Sequence, residues 1–350
     1  LKIANNCAEL KYIIPAFEGY EKIAAPADLQ AQIISYEVLL SKPVSAAEQQ
    51  QINLRRREVL PSDVSSLIYT SGTTGTPKGV MLTHYNFVKN VEVCLQQIPV
   101  IDETETFLSF LPLSHVFERT ATYHVCCAQG CKMAFAQSLE LLAKNMGEVR
   151  PTVMSCVPRL LERIHDKAIK SGTAGGGTKA KIFTWALAIG NDYRVKKEAG
   201  ENPGVILGAK KAIAEKLVFS KIKEKMGGRL WFLPCGGASL SPEVTRFFES
   251  VGIHVTVGYG LTETTATLTL FPLTHFEHGT SGKPLPGVEM RIGENDEIQA
   301  RGNGIMKGYY NKPEETQKVF TEDGWFKTGD AGKFDDKGNL IITDRIKDLM

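Results

Sequence analysis

Glycine, hydroxyl and lysine side chains are concentrated in residues 69–79, which read YTSGTTGTPKG. Glycine lets backbone N–H groups approach an anion closely, hydroxyls add donors, and lysine supplies a point charge for phosphate oxygens. The stretch is not a common P-loop, because Pro77 precedes Lys78 and Gly79 follows it. The density of donors after an apolar run favours a phosphate-binding loop over a surface turn. The candidate phosphate-binding residues are Ser71, Gly72, Thr73, Thr74, Gly75 and Lys78.

A second polar motif, GYGLTET at residues 258–264, follows the predicted strand Ile253–Val257 directly. It departs from the dinucleotide-binding fingerprint, since Glu263 stands where that pattern requires its third glycine. Tyr259 offers a flat face on which a base could stack. Thr262 and Glu263 offer oxygen atoms, and a carboxylate at a strand end suits Mg²⁺. The alternative is a turn and helix start, where Glu263 would favour the positive end of the helix.

A third motif, GWFKTGD at residues 324–330, places Asp330 after a predicted strand and between two glycines. An aspartate in this position can accept two hydroxyl hydrogen bonds, as from a ribose. The alternative is an ordinary aspartate in a turn, which is common.

Short apolar runs alternate with amphipathic helical patterns over most of the chain, which indicates α/β architecture with parallel sheets. In such sheets the ligand-binding loops lie at the carboxyl ends of the strands. From about Gly282 helical patterns nearly disappear and short strands with turns predict a small antiparallel sheet or barrel. The predicted strands are Val64–Tyr69, Thr106–Leu111, Thr152–Val157, Leu230–Leu233, Ile253–Val257, Val288–Ile292, Glu297–Ala300, Gly304–Tyr309, Gly324–Thr328 and Leu340–Thr343.

The composition excludes several classes of protein. The 350 residues are 43% hydrophobic and 23% charged, which is ordinary for a globular protein, and the net charge of +2 gives no electrostatic case for nucleic acid. The seven cysteines are scattered without a C-x-x-C pair, so we interpret them as reduced thiols of a cytoplasmic protein rather than zinc ligands. No apolar run reaches the ~18 residues that a membrane span needs.

The three motifs, together with DRIKD at residues 344–348, resemble in order the motifs of adenylate-forming enzymes, the superfamily of acyl-CoA synthetases, luciferases and peptide-synthetase adenylation domains. LPLSHVFER at 111–119, VPRLLER at 157–163 and a helical insertion ending in LVFSK at 217–221 resemble long-chain fatty acyl-CoA synthetases. The resemblance implies the layered sheets and helices of the synthetase N-terminal domain. We expect an α/β AMP-binding core over residues 1–274, a small β-barrel-like subdomain over 275–343, and a hinge at 344–350.

The resemblance implies ATP-dependent activation of a long-chain fatty acid to an acyl-adenylate and then to an acyl-CoA, with ATP, Mg²⁺ and coenzyme A as the small molecules. Ser71 to Lys78 would hold the β- and γ-phosphates, Thr73 or Thr74 with Glu263 would place Mg²⁺, and Thr262 would contact the α-phosphate. Gly236, Gly237, Ala238, Tyr259 and Gly260 would frame the adenine, Asp330 and Arg345 would hold the ribose, and Lys347 would reach the nucleotide. His115 would lie near the carboxylate and the α-phosphate, with the acyl chain near residues 111–119 and 153–159.

Two other functions are compatible with the same motifs. One is a fatty acyl-AMP ligase that loads a carrier protein. The other is a non-catalytic nucleotide-binding module, but the presence of Lys78, Glu263 and Asp330 at the motif positions argues against it. Family members continue past the hinge into a small domain with a catalytic lysine, so we expect this chain alone to be poorly active. We also expect peripheral contact with membranes, because a long acyl substrate partitions into bilayers, and a homodimer is a further expectation.

Overall fold

The computed structural model describes residues 9–15, 31–70, 76–273 and 277–346. The chain divides into two compact units, Leu1–Leu60 and Pro61–Met350. The strands are β1 Tyr12–Ile13, β2 Gln32–Ile33, β3 Val64–Thr70, β4 Lys78–Thr83, β5 Thr106–Ser109, β6 Lys132–Phe135, β7 Phe232–Cys235, β8 His254–Tyr259, β9 Thr269–Leu270, β10 Lys283–Pro284, β11 Val288–Ile292, β12 Glu297–Gly302, β13 Gly308–Tyr309, β14 Phe326–Phe334 and β15 Leu340–Arg345. The helices are α1 Tyr36–Ser41, α2 Ala46–Glu58, α3 His84–Gln97, α4 Val116–Glu118, α5 Val125–Gln129, α6 Leu142–Val149, α7 Pro158–Thr173, α8 Gly177–Glu198, α9 Gly204–Ala214, α10 Ser220–Glu224, α11 Pro242–Val251 and α12 Pro313–Lys318.

The first unit holds the parallel pair β1 and β2 and the helices α1 and α2. A capping box starts α2: the side chain of Ser45 accepts from the N–H of Glu48, and the Glu48 carboxylate accepts from the N–H of Ser45.

A parallel sheet forms the centre of the second unit. β5 pairs with β6 and β7 pairs with β8, both in parallel register. Val153 links the two pairs, since it bridges to Phe107 on one side and to Phe232 on the other. The predicted strand Thr152–Val157 is therefore reduced to single bridges at the middle of the sheet, although the chain lies where a strand would.

A hairpin of β3 and β4 forms a second sheet, to which β13 adds along β4. Gly308 lies opposite Met81 and Tyr309 opposite Val80. We predicted a strand Gly304–Tyr309 within the late β region; the strand is only two residues long and pairs with β4 instead. This pairing ties the late part of the chain to the hairpin that carries Lys78.

The late strands form the predicted small antiparallel sheet, in the order β11, β12, β14 and β15. Asp330 lies within β14, rather than after a strand as predicted, and faces Arg345 of β15 as its Cα partner. The register of this sheet thus brings two of the predicted site residues together.

The largest cluster of buried side chains lies between the central sheet and α7, α8 and α11. Leu233, Phe248 and Val255 are fully buried in it. Ser241 and Pro242 start α11 as an N-cap and first-turn proline, and Gly252 ends it in the left-handed conformation at φ 85°. The glycine-rich stretch 171–177 forms the junction of two helices: α7 reaches Thr173 and α8 begins at Gly177.

Two π-helical segments interrupt the helices, at Arg119–His124 and at Glu215–Phe219. The second joins α9 and α10 into one continuous helical run. Within the described residues, no helix is long and apolar enough to cross a membrane.

Candidate active site

A cavity of about 1170 Å³ in the second unit is lined by every predicted site residue that the structure describes. The residues come from the ends of β7 and β8, the start of β4, the strands β14 and β15, and the segment before α4. Residues that are far apart in the sequence therefore line the same cavity. The predicted residues that line it are Lys78, His115, Gly236, Gly237, Ala238, Tyr259, Gly260, Thr262, Glu263, Asp330 and Arg345.

The predicted phosphate loop spans residues that the structure does not describe: Ser71, Gly72, Thr73, Thr74 and Gly75. Lys347 also lies outside the described residues. The described neighbours of the loop are Thr70 and Lys78, which form the last pair of the β3–β4 hairpin and both line the cavity.

Lys78 is held by two residues that the sequence did not assign to the site. Its Nζ lies 2.7 Å from Oε2 of Glu315 and 5.1 Å from the centre of the Tyr309 ring. The Lys78 side chain is only 13% exposed. Hydrogen bonds from Lys318 and from Lys78 lower the pKa of the Glu315 carboxyl to about 2. Glu315 thus offers Lys78 the kind of anionic oxygen that a phosphate would offer.

Tyr309 also connects to Glu263, because its hydroxyl donates to Oε1 at 2.8 Å. Burial first, and then the Glu263 charge, raise the pKa of Tyr309, so the hydroxyl stays a donor at neutral pH. Among the described residues, Oε2 of Glu263 accepts no hydrogen bond and no cluster of three or more metal-ligating side chains exists. One free carboxylate oxygen fits a Mg²⁺ ion that arrives with substrate phosphates, since Mg²⁺ takes few protein ligands in such sites.

A second group of hydrogen bonds joins Tyr259, Asp330 and Arg345. The Tyr259 hydroxyl donates to Oδ2 of Asp330 at 2.7 Å, and Nε of Arg345 lies 3.4 Å from Oδ1. Tyr259 is 8% exposed, and its burial raises the pKa of its hydroxyl well above the usual value. The tyrosine predicted as a stacking surface therefore also fixes the orientation of the predicted ribose carboxylate.

Two glycines of the cavity wall lie close to neighbouring groups, and Gly260 has no room for a Cβ. A Cβ at Gly260 would lie 2.1 Å from the carbonyl oxygen of Ala266. A Cβ at Gly236 would lie 3.2 Å from the ring of Phe117. Glycine at these positions lets the chain pass close to whatever occupies the cavity.

His115 precedes α4 and caps it, with Nδ1 accepting from the N–H of Phe117 at 3.2 Å. In the neutral imidazole the proton is then on Nε2. Since His115 lines the cavity, that N–H is available as a donor there, as is the hydroxyl of Thr262.

One part of the cavity is apolar, and α3 supplies its wall. Val91, Leu95 and Ile98 follow one another at helical spacing and line the cavity together with Phe107 and Phe232. Residues 153–159, which we expected near an acyl chain, do not line it, because their backbone fills the middle of the central sheet. The three-and-four spacing on α3 was a readable signal, but a core helix has the same pattern.

Glu118, within the LPLSHVFER stretch, is a buried carboxyl that the sequence did not single out. It is 1% exposed, and neither of its oxygens has a hydrogen-bond partner among the described residues. Burial raises its pKa to about 7, and the nearby hydroxyls of Ser109 and Thr122 oppose that shift. It directly precedes the π-helical segment, whose Arg119 and Thr120 line the cavity.

Relatives among well-characterised proteins match nearly the whole chain. A long-chain-fatty-acid–CoA ligase, FadD15, of Mycobacterium bovis is 33% identical over 99% of this chain and 56% of its own length. The peroxisomal long chain acyl-CoA synthetase 6 of Arabidopsis thaliana is 35% identical over 93% of this chain and 46% of its own length. The chain therefore spans about half the length of the curated relatives it matches.

Solved structures share the fold. The o-succinylbenzoate coenzyme A synthetase of Bacillus subtilis in complex with AMP superposes with a TM-score of 0.64 at 21% identity, over 96% of this chain and 59% of that one. The ATP-bound chimera RpMatB-BxBclM superposes with a TM-score of 0.67 at 22% identity, over 97% and 59%. The sequence profile described as AMP-binding enzyme matches residues 6–310. The chain belongs to the AMP-binding enzyme family.

Proposed function

We propose that the protein activates a long-chain fatty acid with ATP and transfers the acyl group to coenzyme A. A carboxylate oxygen of the acid attacks the α-phosphorus of ATP, the bond to the β-phosphate breaks, and pyrophosphate leaves. The thiolate of coenzyme A then attacks the acyl carbon and AMP leaves. The observation that carries this proposal is that one cavity holds both the predicted nucleotide-binding residues and an apolar end.

The side chains around the polar end suggest a division of roles. Lys78 and Thr262 would donate to phosphate oxygens, and Asp330 with Arg345 would hold the ribose hydroxyls. Gly236, Gly237, Ala238, Tyr259 and Gly260 would frame the adenine. Ser71, Gly72, Thr73, Thr74 and Gly75 would complete the phosphate site, and Lys347 would reach the nucleotide from the hinge.

Charge neutralisation and positioning are what these residues would contribute to the reaction. The Nε2–H of His115 would orient the attacking carboxylate or stabilise charge on the α-phosphate. Glu263, oriented by Tyr309, would hold Mg²⁺ together with Thr73. When bound, Mg²⁺ would neutralise charge on the phosphate oxygens.

Val91 and Leu95 of α3, with Ile98 directly after it, would receive the acyl chain, because burial stabilises an extended hydrocarbon by roughly 0.8 kcal/mol per methylene. Support for this choice of acid comes from a relative named as a long-chain-fatty-acid–CoA ligase and from another named as a long chain acyl-CoA synthetase. In this chain, the apolar wall of the cavity is the feature that fits a long-chain acid.

The reaction is tested by exchange of labelled pyrophosphate into ATP with the natural full-length protein. Exchange should depend on the acid and rise with its chain length. Absence of exchange with every acid from short to long would refute the activity and favour a nucleotide-binding module. Product analysis with free coenzyme A and with a carrier protein separates the ligase from an acyl-AMP ligase that loads a carrier.

The role of Tyr309 is tested by Tyr309→Phe, which keeps the ring under Lys78 and removes the donor to Glu263. Partners that orient a metal ligand typically contribute 10–100-fold to metal affinity or activity. We therefore expect roughly a tenfold higher Mg²⁺ requirement in the exchange assay. Tyr85→Phe is the matched control, because it removes a tyrosine hydroxyl bond of 3.0 Å to Asn303 outside the cavity.

We also propose a cytoplasmic protein that contacts membranes peripherally and forms a homodimer. Reduced thiols support the location: all six described cysteines are free. Cell fractionation and analytical ultracentrifugation test the location and the dimer, and a monomer at all accessible concentrations would refute the latter.

A further inference from the structure

A continuous helical run, residues 204–224, carries an outward face that the core does not use. α9, the π turn and α10 follow one another without a break. Steps of three or four residues place Ile206, Lys210, Ile213, Leu217 and Lys221 on one side, which we call the outer face.

The opposite side of the run meets the core. Ala214, Val218 and Phe219 are buried in the main hydrophobic cluster, and Leu207 packs against it. The outer face therefore does not contribute its apolar side chains to the interior.

Large apolar side chains stand out from this face and its edge. Val205 is 89% exposed, Ile206 is 75%, Ile213 is 51% and Leu217 is 44%. Single exposed apolar residues need no explanation, but four within thirteen positions of one helical run form a patch.

The helical run carries more positive than negative charge. Residues 204–225 contain six lysines and two glutamates. Glu215 is half-buried and paired: its carboxylate lies 2.8 Å from Nζ of Lys223 and 3.7 Å from Nζ of Lys211. Lys210, Lys216 and Lys221 are exposed and form no ion pair within the described residues.

An interleaved set of lysines and branched aliphatic side chains on one helical face suits the interface of a negatively charged bilayer. The aliphatic side chains enter the boundary of the acyl region, while the lysines reach the phosphates. A second copy fits poorly, since two such faces laid together would oppose their lysines. We propose that the outer face docks the protein on anionic phospholipid membranes.

This inference rests on the peripheral membrane contact proposed above and names its surface and lipid class. It does not depend on the proposed reaction, because docking needs neither ATP nor a fatty acid. Failure of pyrophosphate exchange would leave membrane binding untouched, and failure of membrane binding would leave exchange with a water-soluble acid untouched.

The test is flotation of the full-length protein with vesicles. One set contains equal parts of phosphatidylcholine and phosphatidylglycerol, and the other contains phosphatidylcholine alone. Each lysine near an anionic surface strengthens binding roughly fivefold. The variant K210Q/K216Q/K221Q should therefore bind anionic vesicles about 100-fold more weakly.

The matched control, K132Q/K307Q/K333Q, removes the same charge from three exposed lysines on other elements and should change binding severalfold at most. V205S/I206S should weaken binding at every salt concentration, whereas V88S/V100S, at sites 63% and 52% exposed on and after α3, should not. Circular dichroism and pyrophosphate exchange with a soluble acid check that each variant is folded.

Equal loss in the patch and control variants would overturn the proposal, as would equal binding to both kinds of vesicle. Unchanged vesicle binding of the patch variants would also overturn it. A further result would also overturn it: neither the wild type nor any variant binds vesicles, but the patch variants lose self-association or binding to an acidic protein. The outer face would then be the site for that protein partner.

Discussion

Replacing Glu118 with glutamine should remove about 3 kcal/mol of the stability that the protein loses as pH rises from 4.5 to about 7. The Glu118 carboxyl is 1% exposed and has no hydrogen-bond partner in the part of the chain that the structure describes, so its charged form is poorly solvated. Burial raises its pKa from 4.5 to about 7. A carboxyl whose folded pKa lies above its unfolded pKa stays protonated in the fold and ionises only at a cost.

The sign follows from proton binding. Between pH 4.5 and about 7 the folded protein holds a proton on Glu118 that the unfolded chain releases, so the free energy of unfolding falls as pH rises. Below pH 4.5 both states are protonated and the group costs nothing. One pKa unit corresponds to 1.36 kcal/mol, so the full loss across the window is about 3 kcal/mol.

Urea unfolding of the wild-type protein and of Glu118→Gln, followed by circular dichroism at several pH values through this window, measures the effect. Glutamine does not titrate, and any packing cost of the amide is the same at every pH. The difference in unfolding free energy between the two proteins should therefore shift by about 3 kcal/mol in favour of the variant as pH rises.

Two comparisons isolate Glu118. Glu249 is also buried, and burial raises its pKa to about 8, but it is present in both proteins and cancels in the difference. Glu103→Gln changes an exposed carboxylate and should leave the pH dependence as it is. Parallel curves for the wild type and Glu118→Gln would refute the assignment of a neutral, buried Glu118.

Three further substitutions address the cavity. Glu315→Gln removes the anion that holds Lys78, so calorimetry should show ATP binding roughly fivefold more tightly while AMP affinity is unchanged. An equal gain for both nucleotides would contradict the idea that Glu315 competes with the β- and γ-phosphates for Lys78. Tyr259→Phe removes the donor to Asp330 and should weaken AMP binding roughly tenfold, unlike Tyr85→Phe; equal affinities would show that the hydrogen bond does not position Asp330. Gly260→Ala forces a Cβ against a carbonyl oxygen at 2.1 Å and should lower stability by more than ~3 kcal/mol in thermal unfolding, with a normal melting curve as the contrary result.

Local patterns determined much of this protein without the structure. Apolar runs predicted the strands β5, β7 and β8 to within a few residues, because these elements depend on residues close in sequence. The four ordered motifs indicated the family, and all of their predicted site residues that the structure describes line one cavity.

The partners of those residues depended on the tertiary structure. Glu315 lies 237 residues from Lys78 along the chain, and Tyr309 lies 46 residues from Glu263. Glu315 reaches Lys78 and Tyr309 reaches Glu263 because the two-residue strand β13 pairs with β4. No residue pattern in so short a strand specifies its neighbour. The sequence predicted this strand in the wrong sheet for the same reason.

The sequence by itself thus determined which side chains could bind a nucleotide, since glycine, lysine and carboxylate chemistry is a property of residue types and spacing. The tertiary structure alone decided which of them are held, and by what: Lys78 by Glu315 and Asp330 by Tyr259. It also decided that Glu118 is buried with no hydrogen-bond partner among the described residues, and that four apolar side chains of residues 204–224 are left outside the core. Burial and pairing across long separations arise from packing of whole elements, which local sequence does not encode.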